Sequence, residues 1–151
     1  MIRRATSEDV EAIARLFGRA LATMTYLPVV HTYEENVAWF GARVSDHEAW
    51  VWDAGEVRGY MLLGEGELLH LYLDPESTGR GIGTQLLDLA KTRRPDGFTL
   101  WTFQQNDGAR RFYERHGLRA IEFGDGSGNE ERTPDVRYEW RPAVARGSNG
   151  R

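Results

Sequence analysis

Between positions 74 and 87 the sequence reads DPESTGRGIGTQLL, where Gly79, Gly81 and Gly83 alternate with Arg80 and Ile82 ahead of a helix-like run. A glycine-rich loop that opens a helix makes an anion site. The first-turn amides lack intrahelical acceptors, the helix dipole favours negative charge, and glycine admits a close ligand or a positive φ. Arg80 adds a cation whose planar fork suits phosphate oxygens. The stretch therefore carries the chemistry of a phosphate or pyrophosphate cradle. Two nucleotide signatures fit it poorly. A P-loop needs Gly-Lys-Ser/Thr where the chain has Gly83-Thr84-Gln85, and the dinucleotide fingerprint needs G-x-G-x-x-G where the spacing is G-x-G-x-G. A plain tight turn, whose glycines only let helix pack on strand, is the bland alternative.

The elements around this loop follow from pattern. MIRRA reads as a first strand, and Thr6 or Ser7 caps a helix whose apolar face is Val10, Ile13, Ala14, Phe17 and Leu21. After TYLPVVHT, Thr32 and Glu35 form a capping box for a second helix carrying Val37, Trp39, Phe40 and Val44. AWVWD and VRGYMLLG make a hairpin across AGE, and LLHLYLD is a strand ended by Pro75. A helix follows over 81–92 with Ile82, Leu86, Leu87 and Ala90 inward, then the strand GFTLWTF. A short helix in NDGARRFYERHG is stopped by Gly117. LRAIEF and VRYEWRP are the last strands, separated by a polar loop over 124–135. The order β-α-α-β-β-β-α-β-α-β-β predicts an α/β fold, a mixed sheet with helices on its faces. Residues 1–142 read as one domain and 143–151 as a frayed tail. The five tryptophans read mostly as core.

Composition narrows the classes. A chain of 151 residues, 40% hydrophobic and 28% charged, suits one compact domain. A net charge of −4 argues against nucleic acid as a partner and suits a cationic amine. The absence of cysteine excludes disulfides, thiolate metal sites and a cysteine nucleophile, and no metal site is expected. No run has the length of a membrane span and MIRRATSEDVEAI has no signal-peptide core, so the reading is cytoplasmic.

LHLYLDPESTGRGIGTQLL resembles the acetyl-CoA-binding motif Q/R-x-x-G-x-G/A of the GCN5-related N-acetyltransferases (GNAT), laid over Thr78, Gly79, Arg80, Gly81, Ile82 and Gly83. NDGARRFYERHGL is similar to that family's second signature, one strand and one helix downstream, and the element order matches as well. Thr78 departs from the preferred Gln or Arg. The resemblance implies a mostly antiparallel sheet of six to seven strands with helices on both faces, acting as a monomer or homodimer. It implies acetyl-CoA as cofactor, with backbone amides from Gly79 to Thr84 on its pyrophosphate. Leu71 and Leu73 would pair with the pantetheine arm where two strands splay, and Asn106 would lie near that arm, or cap a helix. Tyr113 matches the acid that protonates the departing thiolate. Glu67, eleven positions before Thr78, matches the catalytic glutamate of the family's histone-modifying branch. His70 is the rival base, because an imidazole titrates near neutrality. Strict strand alternation puts the two on opposite faces. On the acceptor side, His31, Tyr33, Glu34 and Glu130 suggest an acidic, aromatic pocket, although acids at 34 and 35 also suit a helix start. The expected reaction is direct acetyl transfer to a primary amine, first of a small cationic molecule, alternatively of a protein N-terminus or lysine. A non-catalytic coenzyme A sensor is the reading from another class.

Overall fold

The structure, a computed structural model, describes residues 1–143. All of the expected tail except Ala143 therefore lies outside the described residues. Seven strands form two antiparallel sheets. In the first, β1 (Ile2–Arg4), β2 (Glu48–Asp53), β3 (Val57–Leu63) and β4 (Leu68–Leu73) lie in chain order. In the second, β5 (Phe98–Phe103), β7 (Asp135–Trp140) and β6 (Arg119–Gly124) lie in that spatial order. Helices α1 (Val10–Ala22) and α2 (Tyr33–Asp46) cover one face of the first sheet, α3 (Ile82–Arg93) covers the other, and α4 (Asp107–Arg115) packs on the second sheet.

Local signals set these boundaries. Thr6 caps a short 3-10 turn, Ser7–Asp9, through a reciprocal pair with Asp9, and Thr32 with Glu35 does the same for α2. Gly117, at φ +89°, ends α4. Strand β3 is buried on both sides. Tyr60 and Leu62 join the core under α1 and α2, while Met61 and Leu63 join the core shared by α3 and the second sheet. A Cβ at Gly59 would lie 2.8 Å from Leu73 and 3.2 Å from Ile82, so glycine there lets α3 settle on the sheet.

Of the expected single sheet of six to seven strands with helices on both faces, seven strands are present, split into two sheets that one bridge alone joins among the described residues. Glu67 pairs in parallel with Thr99, whose amide donates to the Gly66 carbonyl at 3.0 Å. Beyond it β4 and β5 are terminal strands that diverge, leaving a V-shaped gap. Two packing expectations change. Leu16 and Ala20, not Phe17 and Leu21, complete the buried stripe of α1. Trp39 and Trp101 are exposed, and none of the five tryptophans is fully buried.

Candidate active site

A cleft of about 1480 Å³ fills the gap, with β4 on one wall, β5 and α4 on the other, the glycine loop at one end and the 124–131 loop at the opposite end. Leu71 and Leu73 lie along the free edge of β4, where backbone groups have no neighbouring strand to bond.

The glycine loop is shaped for an anion. Gly79 and Gly81 sit at φ +78° and +83°, with open space where a Cβ would stand, so backbone conformation and not room requires glycine. Gly83 is the reverse case: its Cβ would be 3.3 Å from Phe112. The amides of residues 79–84 find no acceptor among the described residues; the first helical bond is Gln85 N–H to the Gly81 carbonyl, at 3.1 Å. The first turn of α3 has no acid, so nothing offsets its positive dipole end. Two anchors hold the loop. Buried Asp74 accepts from the Glu76 amide at 3.0 Å and from Arg19 of α1 at 2.7 Å. Burial opposes its charge, yet those partners keep its carboxyl below the usual range. His116 Nδ1 donates to the Phe112 carbonyl at 2.8 Å, which leaves Nε2 to accept from the Thr84 hydroxyl at 3.1 Å. Thr78, Gly79, Gly81, Gly83 and Thr84 line the cleft. Arg80 and Ile82 do not. Arg80 is exposed, and Ile82 is buried under the loop against the sheet.

On the α4 wall, Tyr113 lines the cleft while only 7% exposed. Burial first, and then the neighbouring Tyr72, push its phenol up. Its hydroxyl bonds to no group among the described residues. Asn106 combines its two expected places: it lines the cleft, and its Oδ1 caps α4 by accepting from the Ala109 amide at 3.1 Å.

The acceptor wall departs further from expectation. The ring of His70 is stacked between Phe17 at 5.2 Å and Trp39 at 5.1 Å, with Nδ1 2.9 Å from the Tyr60 hydroxyl. Burial pushes its imidazole down to about 3, so His70 stays neutral at physiological pH and fits poorly as a base. Glu67 lines the cleft at the vertex of the V but is solvent-exposed, without the apolar surround that tunes a carboxylate for proton abstraction. The alternation argument that separated these two residues fails as well. Leu63 pairs with Leu68 and Leu62 with His70, so Leu69 is an extra residue and the count crosses a bulge. Of the four proposed acceptor contacts, Glu130 lines the cleft. His31 does not line it, but its Nε2 lies 2.9 Å from Glu130 Oε2, joining the α1–α2 connection to the β6–β7 loop. Tyr33 turns to the outside of α1, donating to Glu11 at 3.3 Å, and Glu34 is exposed outside the cleft. Both belong to the helix start and not to a pocket.

Several cleft residues escape sequence reasoning: Phe17, Tyr26, Tyr72 and Phe103; the polar loop that the sequence offers for the acceptor side brings Glu131 to the cleft beside Glu130. Tyr72 follows from alternation, since Leu71 and Leu73 pack toward the core under α3 and the residue between them projects to the opposite face. Tyr26 sits beside Pro28 in an irregular segment, where no periodicity points inward. Among the described residues no group of three or more His, Cys, Asp or Glu is placed to hold a metal, and no helix is long and apolar enough to cross a membrane.

Comparison with known proteins bears on this geometry. A family model described as an acetyltransferase (GNAT) domain matches residues 45–119. A peptidyl-lysine N-acetyltransferase, YjaB, of Salmonella typhimurium is 33% identical over 123 residues, 78% of this chain and 82% of the relative. Another, YiaC of Escherichia coli, is 29% identical over 134 residues, 81% of this chain and 85% of the relative. The solution structure of apo YjaB from Escherichia coli superposes with a TM-score of 0.77 at 23% identity, covering 95% of this chain and 98% of the other.

Proposed function

The chain belongs to the GNAT acetyltransferase family, and we propose that the acceptor of this acetyl-CoA-dependent N-acetyltransferase is the ε-amine of a lysine in a peptide or protein. The observation that carries the reading is the form of the acceptor end. Its throat is aromatic, with Phe17, Tyr26, His70, Tyr72 and Phe103, and the same cleft holds one half-buried carboxylate without a side-chain partner among the described residues, Glu131. Asp135, the other half-buried acid, is taken by Asn129. An apolar stem ending in a single cation matches that layout. A compact polycation would ask for several carboxylates at depth, and Glu130, Glu122 and Asp125 are exposed. The two relatives named as peptidyl-lysine enzymes support the same choice over the small-amine reading.

The residues present fit acetyl-CoA. Six consecutive amides without acceptors suit a pyrophosphate, and the unpaired edge of β4 suits an extended amide-bearing arm. When bound, the cofactor supplies an acetyl group activated as a thioester. The 79–84 amides bind and orient its anionic end, and Leu71 and Leu73 offer backbone groups along the arm. Tyr113, protonated because burial raises its phenol, holds a proton for the departing sulfur. Since neither His70 nor Glu67 is built as a base, the amine loses its proton to water before attack. The aromatic walls limit water around the reacting pair.

Thiol release from acetyl-CoA, measured with a blocked lysine peptide, spermidine and an aminoglycoside, tests the acceptor. The lysine peptide is expected to exceed the others in kcat/KM by at least about tenfold, the scale on which a shaped pocket discriminates. A higher value for either small amine would overturn the lysine reading.

A further inference from the structure

Three groups on the acceptor side are unexplained by cofactor binding. The first is Tyr26. It lines the cleft, its ring edge-on to Phe103 at 6.3 Å, and its hydroxyl is buried without a hydrogen-bond partner among the described residues. Buried polar atoms are nearly always bonded, so an orphaned hydroxyl on a cleft-lining residue points to a partner that arrives from outside the chain.

The second is Tyr72, on the face of β4 opposite to Leu71 and Leu73. Phe17 at 5.5 Å and His70 at 5.3 Å hold its ring edge-on, and its hydroxyl bonds to no described group. Burial, then the charge of Glu131 and the neighbouring Tyr26, push its phenol up to about 12. It remains a neutral hydroxyl at working pH.

The third is Glu131. The β6–β7 loop sets it in place more firmly than a solvated loop requires. Asn129 donates to the Thr133 carbonyl at 2.8 Å and accepts from the Thr133 amide at 3.2 Å, while the Thr133 hydroxyl donates to the Glu131 carbonyl at 3.0 Å. Gly126 packs so tightly that a Cβ would stand 2.7 Å from the Thr133 backbone. Arg132, next to Glu131, has φ +52°, the one non-glycine residue at positive φ among those described. A side chain held in that region needs its surroundings to enforce it, and here they do.

We propose that Tyr26, Tyr72 and Glu131 form the station that receives the acceptor's amino group, with Glu131 drawing it in as the ammonium ion and the two hydroxyls accepting N–H bonds from the neutral amine once its proton has passed to water. Tyr113 lines the same cleft, and Tyr72 is its neighbour there. The inference rests on reading the chain as an amine acetyltransferase, but not on the amine being lysine.

Steady-state kinetics with the blocked lysine peptide, together with calorimetric binding of coenzyme A, test it. Glu131→Gln is expected to raise KM about 10- to 100-fold, the scale of a hydrogen bond to a charged group, and to flatten the salt dependence of kcat/KM. Glu131→Asp should recover part of that loss. Tyr26→Phe and Tyr72→Phe should each raise KM about 2- to 10-fold, as for a neutral hydrogen bond. Coenzyme A affinity should stay within twofold in every variant. An unchanged KM in Glu131→Gln overturns the station, as does a loss of coenzyme A affinity parallel to the rise in KM. If the wild type prefers a polyamine, the lysine reading fails and the same variants test the station with that amine. A wild type that acetylates no amine overturns both.

Discussion

Replacing Tyr113 by phenylalanine separates chemistry from architecture. The ring is 7% exposed and packs against Phe112 at 5.3 Å and Tyr138 at 6.0 Å, contacts that phenylalanine keeps. The hydroxyl has no bonding partner among the described residues, so its removal strands no buried group. Stability should change by less than about 0.5 kcal/mol, within the range of harmless substitutions. In a chain of this size that corresponds to a shift in Tm under about 3 °C. A positioned general acid contributes roughly 100- to 10,000-fold, so kcat should fall at least about 100-fold while coenzyme A affinity holds. The pH profile adds an independent check. Burial raises the phenol above its ordinary value, so the acid form persists to higher pH than in a free tyrosine. Wild-type kcat/KM should then rise with pH as the amine loses its proton, with no descending limb below about pH 10. Thiol-release rates from pH 6 to 10, thermal melts and calorimetry cover the three readouts. A kcat within threefold of wild type, or a descending limb near pH 8, would refute the assignment of Tyr113 as the acid.

Two further perturbations probe the frame that holds the site. Gly81→Ala places a side chain at φ +83° with open space around it, so the loss should be conformational: about 1 kcal/mol of stability, and a weaker Kd for coenzyme A as the loop relaxes. Gly81→Asn should lose less on both counts, and equal losses for the two variants would argue against backbone strain as the cause. At the opposite edge, Glu48 accepts from Trp50 Nε1 at 2.8 Å and from Arg94 at 3.2 Å and also meets Arg93, tying β2 to the end of α3. Burial opposes its charge, but the hydrogen bonds from Arg93, Trp50 and Arg94 outweigh it and lower the carboxyl from the usual 4.5 to about 2. The sign follows: this stabilisation, about 3 kcal/mol, is full above pH 4.5 and is lost as the pH falls through about 2. Glu48→Gln should therefore melt below the wild type at pH 6 and converge with it near pH 2, and a gap constant with pH would refute the account.

How much of this was legible beforehand depends on the range of the interaction responsible. Caps, turns and the anion loop are decided within three or four residues of chain: Thr6 with Asp9, Thr32 with Glu35, Gly117 past α4, and glycines at the positive φ of positions 79 and 81. Their energetics are those of the local backbone, and the sequence states them outright. The shape of the glycine loop was therefore readable, and Asn106 and Tyr113, which sit in a continuous motif, line the same cleft. The acceptor end was not readable. Whether His70 faces water or lies between Phe17 and Trp39 depends on α1 and α2 closing over the sheet, and that burial removes it as a base. Which way β4 turns its side chains depends on a bulge at Leu69 that appears only when β4 pairs with β3. The polar loop becomes a clasp around Glu131, because Gly126 and Asn129 fold back on Thr133 and hold it at the cleft that Tyr72 and Tyr26 also line. The sequence by itself determined the element order and the glycine loop. Tertiary packing decided what meets the amine, since burial and facing are properties of every element that closes on a residue and not of the residue's own neighbours.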